Sequence, residues 1–182
     1  YNIASFKTEG IDLNLNYLMN SMLGEIVLSN FTSILLKKNY QESASEQKRN
    51  CKGTYLLGNS DGLCYQPSPK FQNILSIALK KPTFGFDSEY NLTHRFIDSL
   101  KGFSYQNITN NLPFKKMEYI DFSFSVFLKN NLDIYFGVNN LLDNDPPING
   151  DIGYVPGNAN TFPSFYDPLG RYLFLKISKK VN

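Results

Sequence analysis

Leu132-Asp133-Ile134-Tyr135-Phe136-Gly137-Val138-Asn139 places an apolar residue at every second position. A strand turns successive side chains to opposite faces, so such a segment has one apolar face and one mostly polar face. The pattern repeats outward. Ile120-Asp121-Phe122-Ser123-Phe124-Ser125-Val126 carries it just upstream, and Ile11-Asp12-Leu13-Asn14-Leu15-Asn16-Tyr17 carries it near the start. Phe71 to Leu79, Thr83 to Tyr90 and Leu173 to Ser178 follow it more loosely, and Ile26 to Leu36 is so uniformly apolar that its face is ambiguous. These runs predict about seven strands, at roughly 9–20, 25–39, 70–81, 83–92, 116–128, 131–140 and 170–181, with room for one helical turn in Thr93 to Leu100.

The connections sort by length. Short links at Ser21 to Gly24, Lys81-Pro82 and Lys129-Asn130 alternate with long ones at Tyr40 to Pro69, Thr93 to Lys115 and Leu141 to Leu169. An antiparallel meander with this alternation has all its long loops at one end. That is how outer-membrane barrels are built, with tight periplasmic turns and long extracellular loops. Long structureless loops are uncommon in compact soluble domains. On this reading Asp12, Asn14, Asn16, Asp121, Ser123, Ser125, Asp133 and Asn139 face a lumen. Ile11, Leu13, Leu15, Phe122, Phe124, Val126, Leu132, Ile134, Phe136 and Val138 face lipid. The same alternation also suits a sandwich packed on a second sheet.

Composition narrows the functional classes. The chain has 15 Phe and 12 Tyr but no Trp, and such aromatic loading favours strands and membrane interfaces. Net charge is only +2, and the Lys-Lys pairs do not gather into a stripe, so nucleic acid is not an expected partner. No apolar run is long enough for a transmembrane helix, and no basic-then-apolar leader opens at Tyr1. The chain is therefore expected to be the tail of a longer exported protein or a mature product. Cys51 and Cys64 lie in one polar stretch, and a disulfide closing that loop is the preferred reading, with free thiols as the alternative. Two cysteines and the lone His94 do not supply the four ligands of a structural zinc site, so no metal and no cofactor are expected. There is no Gly-x-Ser-x-Gly and no recognisable carboxylate pair, His94 reads as a solvated loop side chain, and the chain is not expected to be an enzyme.

Several motifs carry a family resemblance. Gly137-Val138-Asn139-Asn140-Leu141-Leu142-Asp143-Asn144-Asp145-Pro146-Pro147 closely resembles the end of the penultimate strand of TonB-dependent outer-membrane receptors. Asn158 to Tyr172 looks like that family's last extracellular loop entering its final strand. Lys7-Thr8-Glu9-Gly10-Ile11-Asp12-Leu13 is similar to the opening of an earlier barrel strand, and the cysteines before Pro67-Ser68-Pro69-Lys70-Phe71 match a loop of many members. The resemblance spans nearly the whole of residues 1–182. It implies an all-β antiparallel transmembrane barrel segment, about seven C-terminal strands of a barrel of about 22, with no plug domain. It implies a bacterial outer-membrane location and partners in outer-membrane lipid, TonB and the barrel-assembly machinery. TonB would act through parts of the parent protein that this chain lacks. The implied activity is receptor-mediated import of a scarce large solute of the siderophore, cobalamin, haem or oligosaccharide class, by a chain that is not transport-competent alone. Tyr55, Tyr65, Phe103, Tyr105, Tyr154, Phe162, Phe165 and Tyr166 are the candidate ligand-contacting loop residues, as exposed aromatics. Gly137, the Asn and Asp residues after it and Pro146-Pro147 read more naturally as structural. The alternative is a secreted all-β binding module, to which the glycosylation-like triplets Asn30-Phe31-Thr32, Asn91-Leu92-Thr93 and Asn107-Ile108-Thr109 would belong.

Overall fold

The computed structural model describes residues 5–41, 43–57, 66–104, 113–129, 131–148 and 160–179. The strands are β1 (Ser5–Ser21), β2 (Gly24–Gln41), β3 (Arg49–Asn50), β4 (Thr54–Leu57), β5 (Phe71–Thr83), β6 (Phe86–Ile97), β7 (Lys101–Ser104), β8 (Met117–Leu128), β9 (Leu132–Asn139) and β10 (Tyr172–Lys179). There is no helix among the described residues. Seven strands form one antiparallel sheet in the order β1-β2-β5-β6-β8-β9-β10, β3 adds to the loop end of β2, and β4 pairs with β7 in a separate parallel pair. Each main strand lies beside its neighbour in sequence, so the sheet is a meander whose long connections all leave from one end. Among the described residues β1 and β10 are its two unpaired edges.

Register settles the faces. Paired residues in neighbouring strands share a face, so the apolar side can be followed from strand to strand. Leu15 lies opposite Asn30, Asn30 opposite Leu75, and Leu75 opposite His94; one step along, Tyr17, Leu28, Ile77, Leu92, Phe122, Val138 and Leu173 form an unbroken row. The other side carries Asn16, Ser29, Ser76, Thr93 and Asp121 in one row. The ambiguous run from Ile26 to Leu36 has a local cause. Phe31 sits on the polar side, while Asn30 and Thr32 sit on the apolar side and bond to each other and to Asn73 across the ladder. Asn73 Nδ2 donates to Asn30 Oδ1 at 2.7 Å and to Thr32 Oγ1 at 2.8 Å, which partly satisfies polar groups on an otherwise apolar face.

Three expectations need correction. The hairpin turn is not at Lys81-Pro82: β5 runs through Pro82, which pairs with Asp87, and the turn is Phe84-Gly85 with φ of 53° and 78°. Both central residues in the left-handed region give the twist that suits a two-residue hairpin. Pro82 is tolerated because β2 stops pairing with β5 at Lys80, so no ladder donor is required on that side. Thr93 to Leu100 holds no helical turn, because β6 continues to Ile97 and pairs along its length with β8. His94 is consequently a strand residue, 3.6 Å from Glu118, and not a loop side chain.

The body of the sheet has almost no buried core. Leu13 is 54% exposed and Leu175 66%, and no second layer covers the apolar face among the described residues. The large side chains that are fully buried are Tyr55, Tyr119, Tyr166, Phe114, Phe162 and Leu100, all at the long-loop end.

Candidate functional site: the loop cap and the polar wall beneath it

The loop end is assembled from three separate connections. From the first comes Tyr55 on β4, from the second Leu100 and Phe114, and from the third Phe162 and Tyr166. Their rings interlock: Tyr55 stacks on Phe114 with centroids 4.2 Å apart, Phe162 meets Tyr55 edge-on at 5.9 Å, and Tyr166 meets Phe114 edge-on at 5.7 Å. Such aromatic pairs contribute about 0.5–1.5 kcal/mol each beyond their area burial. Backbone pairing reinforces them. Leu100 and Phe114 form an isolated bridge, and Lys101 N–H donates to the Gly53 carbonyl at 3.0 Å at the start of the β4–β7 pair.

The cap is stitched to the sheet at both flanks. On the β2 side, Cys51 N–H donates to the Lys38 carbonyl at 2.7 Å, Lys38 Nζ donates to Ser68 Oγ at 2.6 Å, and Pro67-Ser68-Pro69 are buried. Cys51 is buried and disulfide-bonded; Cys64 lies outside the described residues. On the β9 side, Asn140 is fully buried and bonds reciprocally with Asn144, while Asn144 Nδ2 donates to the Glu118 carbonyl at 2.7 Å. Asn140 N–H donates to Asp121 Oδ1 at 2.8 Å. Asp143 Oδ1 accepts from Arg171 N–H at 2.9 Å, just after Gly170 with φ of 69°. Asn140 and Asp143 have φ of 51° and 56°, conformations that Asn and Asp tolerate better than most side-chain-bearing residues. The segment Asn139 to Asn144 is therefore a clasp between the entry of β8, the exit of β9 and the entry of β10. Within β9, a Cβ on Gly137 would run into the ring of Phe174, its partner on β10.

The expected exposure of the loop aromatics does not hold for three of them. Tyr55 is 0% exposed, Phe162 2% and Tyr166 1%, because they form the cap's own core, and Phe165 is half-buried against it. Loops of this length, lying beyond a sheet that buries little, close on their own apolar residues. These three rings offer no open stacking surface. Phe103 is on β7, and its side chain is not among those described; Tyr65, Tyr105 and Tyr154 lie outside the described residues. Sequence reading missed Leu100, Phe114 and Tyr119. Phe114 and Leu100 stand in polar surroundings with no periodicity, and Tyr119 is a polar-face strand residue whose burial comes from the cap above it.

Beneath the cap the polar face carries Arg95 and Asp121, paired at 3.7 Å, with the Arg95 guanidinium 4.9 Å over the Tyr119 ring. The Tyr119 hydroxyl accepts from Asp167 N–H at 3.3 Å. At the opposite end of the same face, Lys80 pairs with Glu25 at 3.1 Å beside a recess of about 290 Å³ lined in part by Asp87, Glu89 and Phe127. No protein-family model, curated protein or solved structure matches this chain.

Proposed function

We propose that this chain is part of the wall of an outer-membrane β-barrel of the TonB-dependent receptor type, whose long loops receive a large solute from outside for energy-dependent import. The observation that carries this reading is the inverted distribution of apolar surface. The sheet exposes a largely apolar face, and the fully buried large side chains lie at its long-loop end. In water such a face would need a second layer; in lipid it is already solvated. The short-turn end supports the same reading. There Lys81 lies 5.3 Å over the Tyr90 ring, and the Tyr90 hydroxyl is 3.0 Å from Thr83 Oγ1, the amphipathic arrangement favoured where hydrocarbon gives way to headgroups. Lipid does not tolerate open sheet edges, so in the working barrel further strands pair with β1 and β10. TonB and a plug belong to that larger assembly, as does recognition by the barrel-assembly machinery.

The test is the accessibility of spin labels on the chain in phospholipid nanodiscs. Labels at Leu15→Cys, Ile77→Cys and Phe122→Cys should relax with oxygen, which concentrates in hydrocarbon. Labels at Asn16→Cys, Ser76→Cys and Ser123→Cys should relax with a water-soluble nickel chelate. Equal behaviour of the two sets, with the chain soluble without detergent, would replace this reading with that of a secreted binding module.

A further inference from the structure

The apolar face of the sheet is interrupted by one polar island. Asn30 and Thr32 on β2 and Asn73 on β5 share that face, where Asn73 Nδ2 donates to both neighbours and Asn30 Nδ2 donates to Thr32 Oγ1 at 3.0 Å. His94 on β6 stands diagonally next to Asn73 and lies 3.6 Å from Glu118 on β8, which also pairs with Lys116 at 3.5 Å. Leu28, Ile77, Leu92 and Phe122 border the island towards the short turns, and Ile11, Ile34 and Phe71 border it towards the loops. The triad does not use its whole bonding capacity. One N–H of Asn30, the hydroxyl hydrogen of Thr32 and Asn73 Oδ1 have no partner among the described residues.

We propose that this island is a contact surface for the acyl-linkage carbonyls of lipids in the loop-side leaflet. The proposal rests on the membrane reading given above. Depth decides the partner. Lys81, over the Tyr90 ring, marks the short-turn edge of the apolar band. Asn73 stands eight positions away on the same strand and the same face. That is about 27 Å along the strand, at about 3.4 Å per residue. A strand tilted by about 40° turns this into about 21 Å along the membrane normal, against an apolar band about 25 Å tall. The island therefore lies just inside the far edge of the band and not at mid-depth, where another protein surface would be the fitting occupant. The apolar row of Ile11, Ile34 and Phe71 stands between it and the level of the phosphates. The deepest polar atoms a lipid carries are the carbonyl oxygens that join its acyl chains, and they accept from the spare donors of Asn30 and Thr32. Charge does not choose the headgroup, because Glu118 is matched by Lys116. Hydrocarbon alone would leave the spare groups unpaired, which a bilayer core penalises.

The experiment compares the whole chain in nanodiscs of diphytanoyl phosphatidylcholine with ester-linked chains and with ether-linked chains. The two lipids share headgroup and hydrocarbon, and the second lacks the carbonyls. The thermal loss of strand signal should come about 2–4 °C later in the ester lipid, the shift that one hydrogen bond gives a chain of this size. The combined variant Asn30→Leu, Thr32→Val and Asn73→Leu should abolish the difference, and Ser123→Ala, on the other face, should keep it. Infrared spectra should show a hydrogen-bonded component of the ester carbonyl band that the combined variant loses, a readout independent of stability. Equal transitions in the two lipids, or a difference and a band component that the combined variant leaves in place, would overturn the proposal. So would native mass spectra showing two chains per disc for the natural sequence and one for the variant, which would give the surface to a second copy. Loss of the spin-label pattern would remove the membrane reading and this contact with it. A retained pattern with equal transitions would remove only the contact.

Discussion

The wall and the cap use the same residue types to opposite ends. In the wall, Leu13, Leu15, Leu173 and Leu175 stand out from the sheet with nothing over them among the described residues, and order comes from ladder hydrogen bonds between long strands. In the cap, Tyr55, Phe114, Phe162 and Tyr166 are removed from solvent, and order comes mainly from ring packing, helped by a four-residue strand pair and the Leu100–Phe114 bridge. On the proposed reading the wall needs no core, because lipid would solvate one face and polar groups line the other. Long loops in water need one, because nothing else offsets the entropy of ordering them.

The sharpest way to break the comparison is to remove the cap's central ring. Phe114→Ala should destabilise the cap by about 3–5 kcal/mol, the usual effect of deleting a buried phenyl group. Limited proteolysis should then cut the three long connections while the strands stay protected. Cleavage spreading into the strands would show that wall and cap form one cooperative unit. A lipid-facing charge should act in the opposite place. Phe122→Lys should destabilise the inserted chain by about 2–4 kcal/mol near mid-depth, whereas Ser123→Lys, one residue along and on the polar face, should be nearly neutral. Denaturant titrations in vesicles read the difference, and equal effects would remove the distinction between the faces. The smallest effect is expected from alkali. The Tyr166 phenol has its folded value raised by burial, so the stability it contributes is fully present below its ordinary value near 10 and is lost as pH rises beyond that. Protease sensitivity of the cap should therefore increase above about pH 10, and Tyr166→Phe should lessen the increase. A pH response confined to the strands would show that burial in the cap is not its source.

Much of the wall was legible because a strand has a period of two. Asp121-Phe122-Ser123-Phe124 announces both its conformation and its faces without reference to any partner. Legibility failed where the pattern reversed. Asn30, Phe31 and Thr32 break the alternation, and only the bonds from Asn73, on the neighbouring strand, show how the polar pair is accommodated. Pro82 marks a turn by composition, yet the strand continues past it because the neighbour on that side has already ended. The clasp at Asn140 to Asn144 was recognisable as a strand exit. Its partners, the Glu118 carbonyl, Asp121 and Arg171, were not, since each comes from another strand or from the entry of β10.

By itself the sequence determined an antiparallel meander with one apolar and one polar face and its long connections gathered at one end, because hydrophobic period and connection length are local quantities. Only the tertiary structure decided that Tyr55, Phe162 and Tyr166 are a core and not an open surface, and that two loops pair in parallel through β4 and β7. Those facts depend on residues far apart in the chain meeting in space, and burial and hydrogen-bond satisfaction exist only once they have met.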